Sequence, residues 1–406
     1  FEWRRFEAVY CGGERFIQPA HADIVTLIKH EREDGRSFAD RKARAYNRNH
    51  VKTIVGMKSD AIFQPKVARA QAGDPAFEEW LRNVDLRGTN ADPFWTDVAR
   101  WSMIYGRYWV GIAMPAAADL EGVVRSERRA ATIAEAERAR LRPYLYALSP
   151  LSVIDWLEDE YGNLEYAVVI EQERTRRPIP KQREPAVRTR LVARVLYRDR
   201  EERYAIGPQG GQTFLGTTPH PFGAVPLVAG GDRVSQLEDL VRIQLAILNA
   251  DSMITEQIVR QTFNQLVLKT EDPKSAMAVI IGTDAVLPLK QGDSADYLSP
   301  NVATIAAIRE YVWELVDEMY AMANLRSRPG GKGQQPATDT SGVAYAFEWR
   351  QAETDLAGIA MRLEEAELRI GTMRARALGI DPNGFRATYP REFDIRALLA
   401  RANEAI

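Results

Sequence analysis

Apolar residues recur at helical spacing in three long stretches of the chain. Over 232–268, Leu240, Ile243, Ile247, Ala250 and Ile254 advance in steps of three and four, the mark of one helix face. At about 1.5 Å per residue such a helix spans roughly 50 Å. Over 301–325, Ile305, Ile308, Val312, Leu315, Met319 and Met322 repeat the pattern. The third stretch begins after capping residues at 338–341 and ends at Leu378. Its apolar positions are Ala352, Leu356, Ile359, Leu363, Ala366, Ile370, Met373 and Ala377, a heptad-like seam that calls for a neighbouring helix. Gly379 suits a C-terminal cap, and Asp381-Pro382-Asn383-Gly384 reads as a turn.

The first 115 residues read as mostly helical. The stretch 39–62 carries Arg41, Lys42, Arg44, Arg48, Lys52 and Lys58 with apolar Ile54, Val55, Met57 and Ile62, and Pro65 ends it. Asp92 and Pro93 predict an N-cap and first turn. Gly106 stops that helix, and 108–113 predicts a strand. Arg, Ala and Glu dominate 120–142, which reads as an exposed loop plus helix. Short alternating or apolar runs at 144–148, 153–157, 164–171, 191–197 and 202–206 then predict an antiparallel meander, punctuated by turns at 160–163 and 207–211. Within it, 172–203 holds 11 basic and 5 acidic residues, a pattern of a solvated hairpin tip and charge-blunted edge strands. Residues 267–300 form a compact strand-rich piece with runs at 278–281, 285–289 and 297–298. The Pro- and Gly-dense 326–336 excludes regular structure. No internal repeat is visible.

Composition narrows the function classes. The 406 residues carry 54 Lys plus Arg against 56 Asp plus Glu, which argues against binding nucleic acid by bulk positive charge. Cys11 is the single cysteine, leaving no intramolecular disulfide and no thiolate metal site. No run approaches the roughly 18 apolar residues of a membrane span. The chain opens at Phe1 without an initiator Met or a charged-then-apolar leader, predicting further residues upstream and no signal peptide.

Enzymatic signals are weak. His21, His30, His50 and His220 lack metal-ligand spacing and read as surface or capping residues. The motifs of zinc proteases, serine hydrolases and dinucleotide enzymes are absent from the sequence. Gly330-Gly331-Lys332-Gly333 lacks the phosphate-loop pattern, since glycine follows the lysine and a helix precedes the cluster. No catalytic residue, cofactor or metal is assigned. Glu310, Glu314, Asp317 and Glu318 share one helix, either as a solvated polar face or as the lining of a passage for a polyanion. Acidic walls there would deny phosphates tight, salt-sensitive contacts. Residues 232–326 hold 14 acidic and 8 basic residues, a net of −6, whereas 326–343 is +2.

The order of these parts resembles the portal proteins of tailed bacteriophages. A mixed helix and sheet body precedes a long helix, a small strand-rich insertion, a second long helix, a Gly/Pro-rich loop and a third long helix. Local stretches carry the likeness further. Ala45-Tyr46-Asn47-Arg48-Asn49 through Ile62-Phe63-Gln64-Pro65 looks like the N-terminal portal segment. Trp101-Ser102-Met103-Ile104-Tyr105-Gly106-Arg107-Tyr108-Trp109-Val110 resembles its helix-to-strand passage. Arg142-Pro143-Tyr144 to Val153-Ile154-Asp155-Trp156 looks like the next strand pair. Ser341-Gly342-Val343-Ala344, with Leu363-Glu364-Glu365-Ala366-Glu367 downstream, resembles the passage from tunnel loop to spine helix.

The resemblance implies an α+β portal fold. Its parts would be a wing over 1–231, stem helices at 232–268 and 301–325, a clip at 269–300, a tunnel loop at 326–343, and a spine helix with a C-terminal segment at 344–406. The end at Ile406 implies a reduced or absent crown. It further implies a non-enzymatic ring, usually of twelve subunits, at one capsid vertex. Three long seams short of partners within one subunit fit side-by-side packing of copies. Implied partners are other copies of the chain, double-stranded DNA in the channel, the large terminase subunit, major capsid protein and scaffold, and a head-tail adaptor. No membrane is implied. The implied location is the virion, with host cytoplasm during assembly. Arg326, Arg328, Lys332, Gln334 and Gln335 would meet DNA from the tunnel loop, and Glu310, Glu314, Asp317 and Glu318 would line the channel. Asp272, Lys274, Asp284, Lys290, Asp293 and Asp296 would meet terminase and adaptor. Another virion structural protein, such as an adaptor or minor capsid protein, and a nucleotide-binding enzyme remain the alternatives.

Overall fold

A computed structural model describes residues 2–17, 24–114, 142–177, 186–261, 265–269, 294–298, 302–325 and 342–393. The chain is a mixed helix and antiparallel-sheet structure. Its N-terminal part supplies α1 (Glu2–Cys11), α2 (Glu14–Ile17), α3 (Gly35–Arg44) and α4 (His50–Phe63). The helix expected over 39–62 is therefore two helices, because Asn49 accepts a hydrogen bond from the Lys52 amide and starts α4 afresh. Next come β1 (Ala68–Gln71), α5 (Phe77–Arg82) and α6 (Ala91–Tyr105). Asp92 lies inside α6 rather than capping it, with Asn90 at the N-cap. Its carboxylate is engaged by Arg69.

Gly106 ends α6 in the left-handed region at φ 68°. A Cβ there would lie 2.3 Å from the Val234 backbone, so the close approach and the turn both require glycine. From it runs β2 (Tyr108–Ala113), which pairs antiparallel with β3 (Tyr144–Leu148) on one side. The five strands β4 (Val153–Glu158), β5 (Leu164–Arg177), β6 (Ala186–Leu196), β7 (Arg200–Ile206) and β8 (Gln212–Pro219) form the expected meander, in chain order. Tyr144–Leu148 belongs to the other sheet. The short β9 (Leu227–Gly230) joins the free side of β2.

Sequence reasoning reads the charges of 172–203 as edge protection. The structure puts β4 and β8 at the outer edges, and it leaves 172–177 of β5 and 186–190 of β6 reaching past β4 and β7 as a two-stranded hairpin with free edges of its own. The charges also pair across strands: Arg194 bonds Glu171 and Glu201 at 2.9 and 2.8 Å, and Glu173 meets Arg190 and Arg203. Cross-strand pairs of opposite charge stabilise a ladder. The uncharged β8 needed no such periodicity and was not legible.

After β9, α7 (Glu238–Gln261) is shorter than the 37 residues expected, at roughly 36 Å. Residues 265–269 leave the helix as β10 (Gln265–Lys269), which pairs with β11 (Ser294–Leu298) in a two-stranded sheet. That pairing brings together the two ends of 270–293. Expected strands at 278–281 and 285–289, and the helix expected near 120–142, lie outside the described residues. Then come α8 (Val302–Met322) and α9 (Gly342–Leu378), with Gly379 at φ 68° beyond it. Finally β12 (Phe385–Thr388) returns to pair with β1.

Two apolar clusters organise these elements. Alternation along β2 sends Tyr108, Val110 and Ile112 into the larger one with α1, α4, α6 and the three long helices. Trp109 faces a smaller one with Val153, Ala167, Val169 and Leu196. The three seams fill the first cluster: Leu240, Ile247, Val312, Met319, Leu356, Leu363 and Ile370 are all buried. The expected shortage of partners within one subunit is thus overturned. α7 and α8 pack against each other, and α4 packs against α7 and α9 from some 190 to 300 residues earlier in sequence, a partnership that periodicity alone does not reveal.

Candidate functional site

The long helices carry the residues singled out from the sequence. On α8, Val312, Leu315, Val316, Met319 and Tyr320 face inward. Glu310, Glu314 and Glu318, each four residues on, form a stripe along the opposite side and are exposed. Asp317 lies beside them, half-buried. Tyr311 and Met322 flank that stripe and are also exposed, as are Met253 and Val259 on α7.

The net of −6 over this region resolves into two classes of acid. Asp251 and Glu256 of α7 are neutralised within the subunit. Asp251 takes Arg48 Nε and Nη2 at 2.9 and 2.6 Å, and Glu256 takes Arg44 at 2.7 Å. Arg41 reaches Ser252 at 2.8 Å while bonding both oxygens of Glu33. Arg48 also stacks over the Trp313 ring of α8, 5.6 Å from its centroid. Asp232 is held by Arg362. Arg41, Arg44 and Arg48 thus clamp α7, and Arg48 also reaches α8. Glu310, Glu314 and Glu318 of α8 keep their exposure.

Buried polar groups fix the start of α4 and α7. Gln244 accepts from the His50 amide at 3.0 Å and donates to Asn47 Oδ1 and Arg48 O at 2.8 Å each. Lys58 bonds Asp355 of α9 at 2.5 Å, and Gln236 donates to the same carboxylate. His50 is buried edge-on to Tyr320, not a surface residue. Burial, aided by the Arg48 charge, lowers its pKa from 6.5 to about 4. Asp34, capping α3 through Ser37 and Arg36, is lowered to about 2, chiefly by its hydrogen bonds from Ser37.

A second knot ties β1 to α9. Arg69 is held by Asp92 and by Glu367, with Nε 2.5 Å from Oε1, and the Tyr389 hydroxyl donates to Glu367 Oε2 at 2.7 Å. Burial raises the Glu367 carboxyl, opposed by Arg69. Arg374 pairs with Asp74 at 2.6 Å and stacks 4.4 Å from the Trp80 centroid. Sequence reasoning missed these groups, since partners so far apart in the chain leave no local spacing.

Of the remaining predicted residues, Arg326, Arg328, Lys332, Gln334 and Gln335 lie outside the described residues, as do Asp272, Lys274, Asp284, Lys290 and Asp293. Asp296 lies on β11, opposite Val267. Among the described residues, no three His, Cys, Asp or Glu side chains gather as a metal site, and no helix is long and apolar enough to cross a membrane.

No family model and no curated protein matches the chain. Among solved structures it is similar to a chain from the neck of an empty GTA particle in C6 symmetry, at 12% identity and TM-score 0.38, covering 87% of this chain and 82% of that one. It is similar also to a chain from the neck of a native GTA particle in C12 symmetry, at 11% identity and TM-score 0.39, covering 88% and 85%. At those TM-scores neither likeness assigns this chain a function.

Proposed function

We propose that the protein is the portal of a phage-like particle: a ring of identical subunits, twelve in the favoured reading, through which double-stranded DNA is packaged and ejected. The observation that carries this reading is the α7–α8 pair. Glu310, Glu314 and Glu318 of α8 are exposed, and exposed apolar Met253, Val259, Tyr311 and Met322 lie on the same two helices. Copies packed side by side would cover the apolar groups, and a heterologous contact of that kind closes into a ring. The acids of α8 would then line a channel that repels phosphates and lets a duplex slide.

In this reading residues 1–231 are the wing, 232–268 and 301–325 the stem, 269–300 the clip, 326–343 the tunnel loop, and 344–406 the spine helix with its C-terminal segment. The β10–β11 pairing supports a clip, because it closes 270–293 into an excursion between the two stem helices. The clip would dock the large terminase subunit and later the head-tail adaptor, with Asp272, Lys274, Asp284, Lys290, Asp293 and Asp296 as the charged contacts. Arg326, Arg328, Lys332, Gln334 and Gln335 would touch DNA in passing. Capsid protein and scaffold would surround the wing. ATP hydrolysis would belong to the terminase.

Electron micrographs of the purified full chain, viewed down the symmetry axis, test this. The expected result is a ring with a hole wide enough for duplex DNA, about 20 Å or more across, given a major groove that is itself about 12 Å wide. A plugged centre or an open filament would sink the portal reading and favour an adaptor or minor capsid role. Deleting residues 329–336 is expected to leave ring assembly intact while lowering DNA packaged or retained per particle, measured by nuclease-protected DNA. Loss of the ring itself would contradict the tunnel-loop assignment.

A further inference from the structure

Away from the α7–α8 pair, a cleft of about 570 Å³ lies between α9, β9 and the turn joining β4 to β5. Leu227, Val228, Ala229, Gly230 and Gly231 line it consecutively. Because side chains of a strand alternate between faces, a cleft lined by consecutive residues meets the strand at its edge. The opposite edge of β9 pairs with β2, and among the described residues no strand pairs with this one.

The wall formed by α9 presents Arg362, Arg369 and Arg376, spaced seven residues apart. That is about 10 Å per step and roughly 20 Å in all. Arg107 and Arg233 line the same cleft and continue it into a hollow against Trp3 and Trp156. Two carboxylates, Glu158 and Glu365, share the lining of the main cleft with these five guanidinium groups; Glu158 pairs with Arg107 at 3.2 Å and Glu365 with Arg369 at 2.6 Å, the second pair exposed on both sides and so weakly held. Arg233 and Arg376 form no ion pair among the described residues. The buried Nε of Arg362 has no hydrogen-bond partner there either. Arg233 is held at φ 66°, with its amide 2.7 Å from the Gly106 carbonyl.

We propose that this cleft binds an extended acidic segment of a partner protein, which adds as a strand to the free edge of β9 and sets its carboxylates against Arg369, Arg376 and Arg233. Edge addition supplies backbone hydrogen bonds, and side chains of the added strand supply specificity. A span of roughly 20 Å corresponds to about six extended residues. Guanidinium forks pair well with carboxylates and phosphates alike. Phosphates alone would not pair with the backbone of the β9 edge, so a peptide answers more of the surface. The cleft lies within one subunit, and the proposal does not depend on ring formation.

The probe is a fluorescent heptapeptide of alternating Glu and Thr, titrated into the full chain at about 50 mM salt, where charge pairing is lightly screened. Saturable binding is expected in fluorescence anisotropy. Combined Arg369→Glu and Arg376→Glu, both at exposed positions, is expected to weaken it by about tenfold or more, with an unchanged melting temperature. Methylating alternate backbone nitrogens of the peptide is expected to weaken it by about tenfold as well, because ladder donors are lost. Undetectable binding of the unmodified peptide overturns the proposal. So does equal binding of the methylated peptide, equal binding by the double variant, or tighter binding of a single-stranded oligonucleotide of the same charge.

Discussion

His50 at the start of α4 couples one ring to the pH dependence of the whole fold. Its folded pKa of about 4 lies below the ordinary 6.5, so between these values the unfolded chain binds the proton that the folded chain refuses. Stability is therefore full above pH 6.5, falls as pH drops towards 4, and loses up to about 3 kcal/mol across that window. Urea denaturation from pH 7 to 4 is expected to show this slope, and His50→Phe to flatten it. Arg69 acts differently. Its guanidinium neutralises the fully buried Glu367, and Arg69→Met leaves that carboxylate without a countercharge in the interior, held only by the Tyr389 hydroxyl. The expected loss is about 3–5 kcal/mol in denaturant midpoint analysis, with much of it recovered when Glu367→Leu is added. Neither site was legible as special: histidine spacing suggested a surface or capping group, and no local pattern joins Arg69 to Glu367.

Among the elements, α8 divides its faces most sharply. The buried side follows the predicted seam from Val312 to Met319, and the opposite side carries the acids at 310, 314 and 318. Reversing them with Glu310→Lys, Glu314→Lys and Glu318→Lys changes exposed groups only and is expected to leave the thermal melt nearly unchanged, within about 0.5 kcal/mol per site. If α8 lines a DNA channel, the same variant is expected to bind duplex DNA with a steep salt dependence that the parent lacks, measured by filter retention across salt concentrations. Equal, weak binding by both would detach the stripe from DNA. The long helices were legible because period 3.6 persists over many turns. Their ends were less so: α7 stops seven residues before the expected 268, where β10 finds a ladder partner in β11. Local propensity does not report that partner.

For the whole molecule, the exposed apolar groups of α7 and α8 set the test of assembly. Met253→Glu with Tyr311→Glu is expected to abolish higher oligomers in sedimentation velocity while the isolated subunit keeps its helical circular dichroism. Retention of the ring would remove this surface from the subunit contact. The distinction matters because the predicted seams themselves are consumed inside the subunit. By itself the sequence determined the mixed class, the three long helices, the β4–β7 meander, the Gly106 and Gly379 stops, and the acidic face of α8. Each arises from local periodicity or from a single residue's backbone preference. Only the tertiary structure decided that N-terminal helices pack against α7 and α9, that Asp251, Glu256 and Asp232 are neutralised by arginines, that His50 is buried, and that the edge of β9 opens onto arginines of α9. All of these join residues more than a hundred positions apart, and contact across such separations is set by packing of whole elements, which no spacing along the chain encodes.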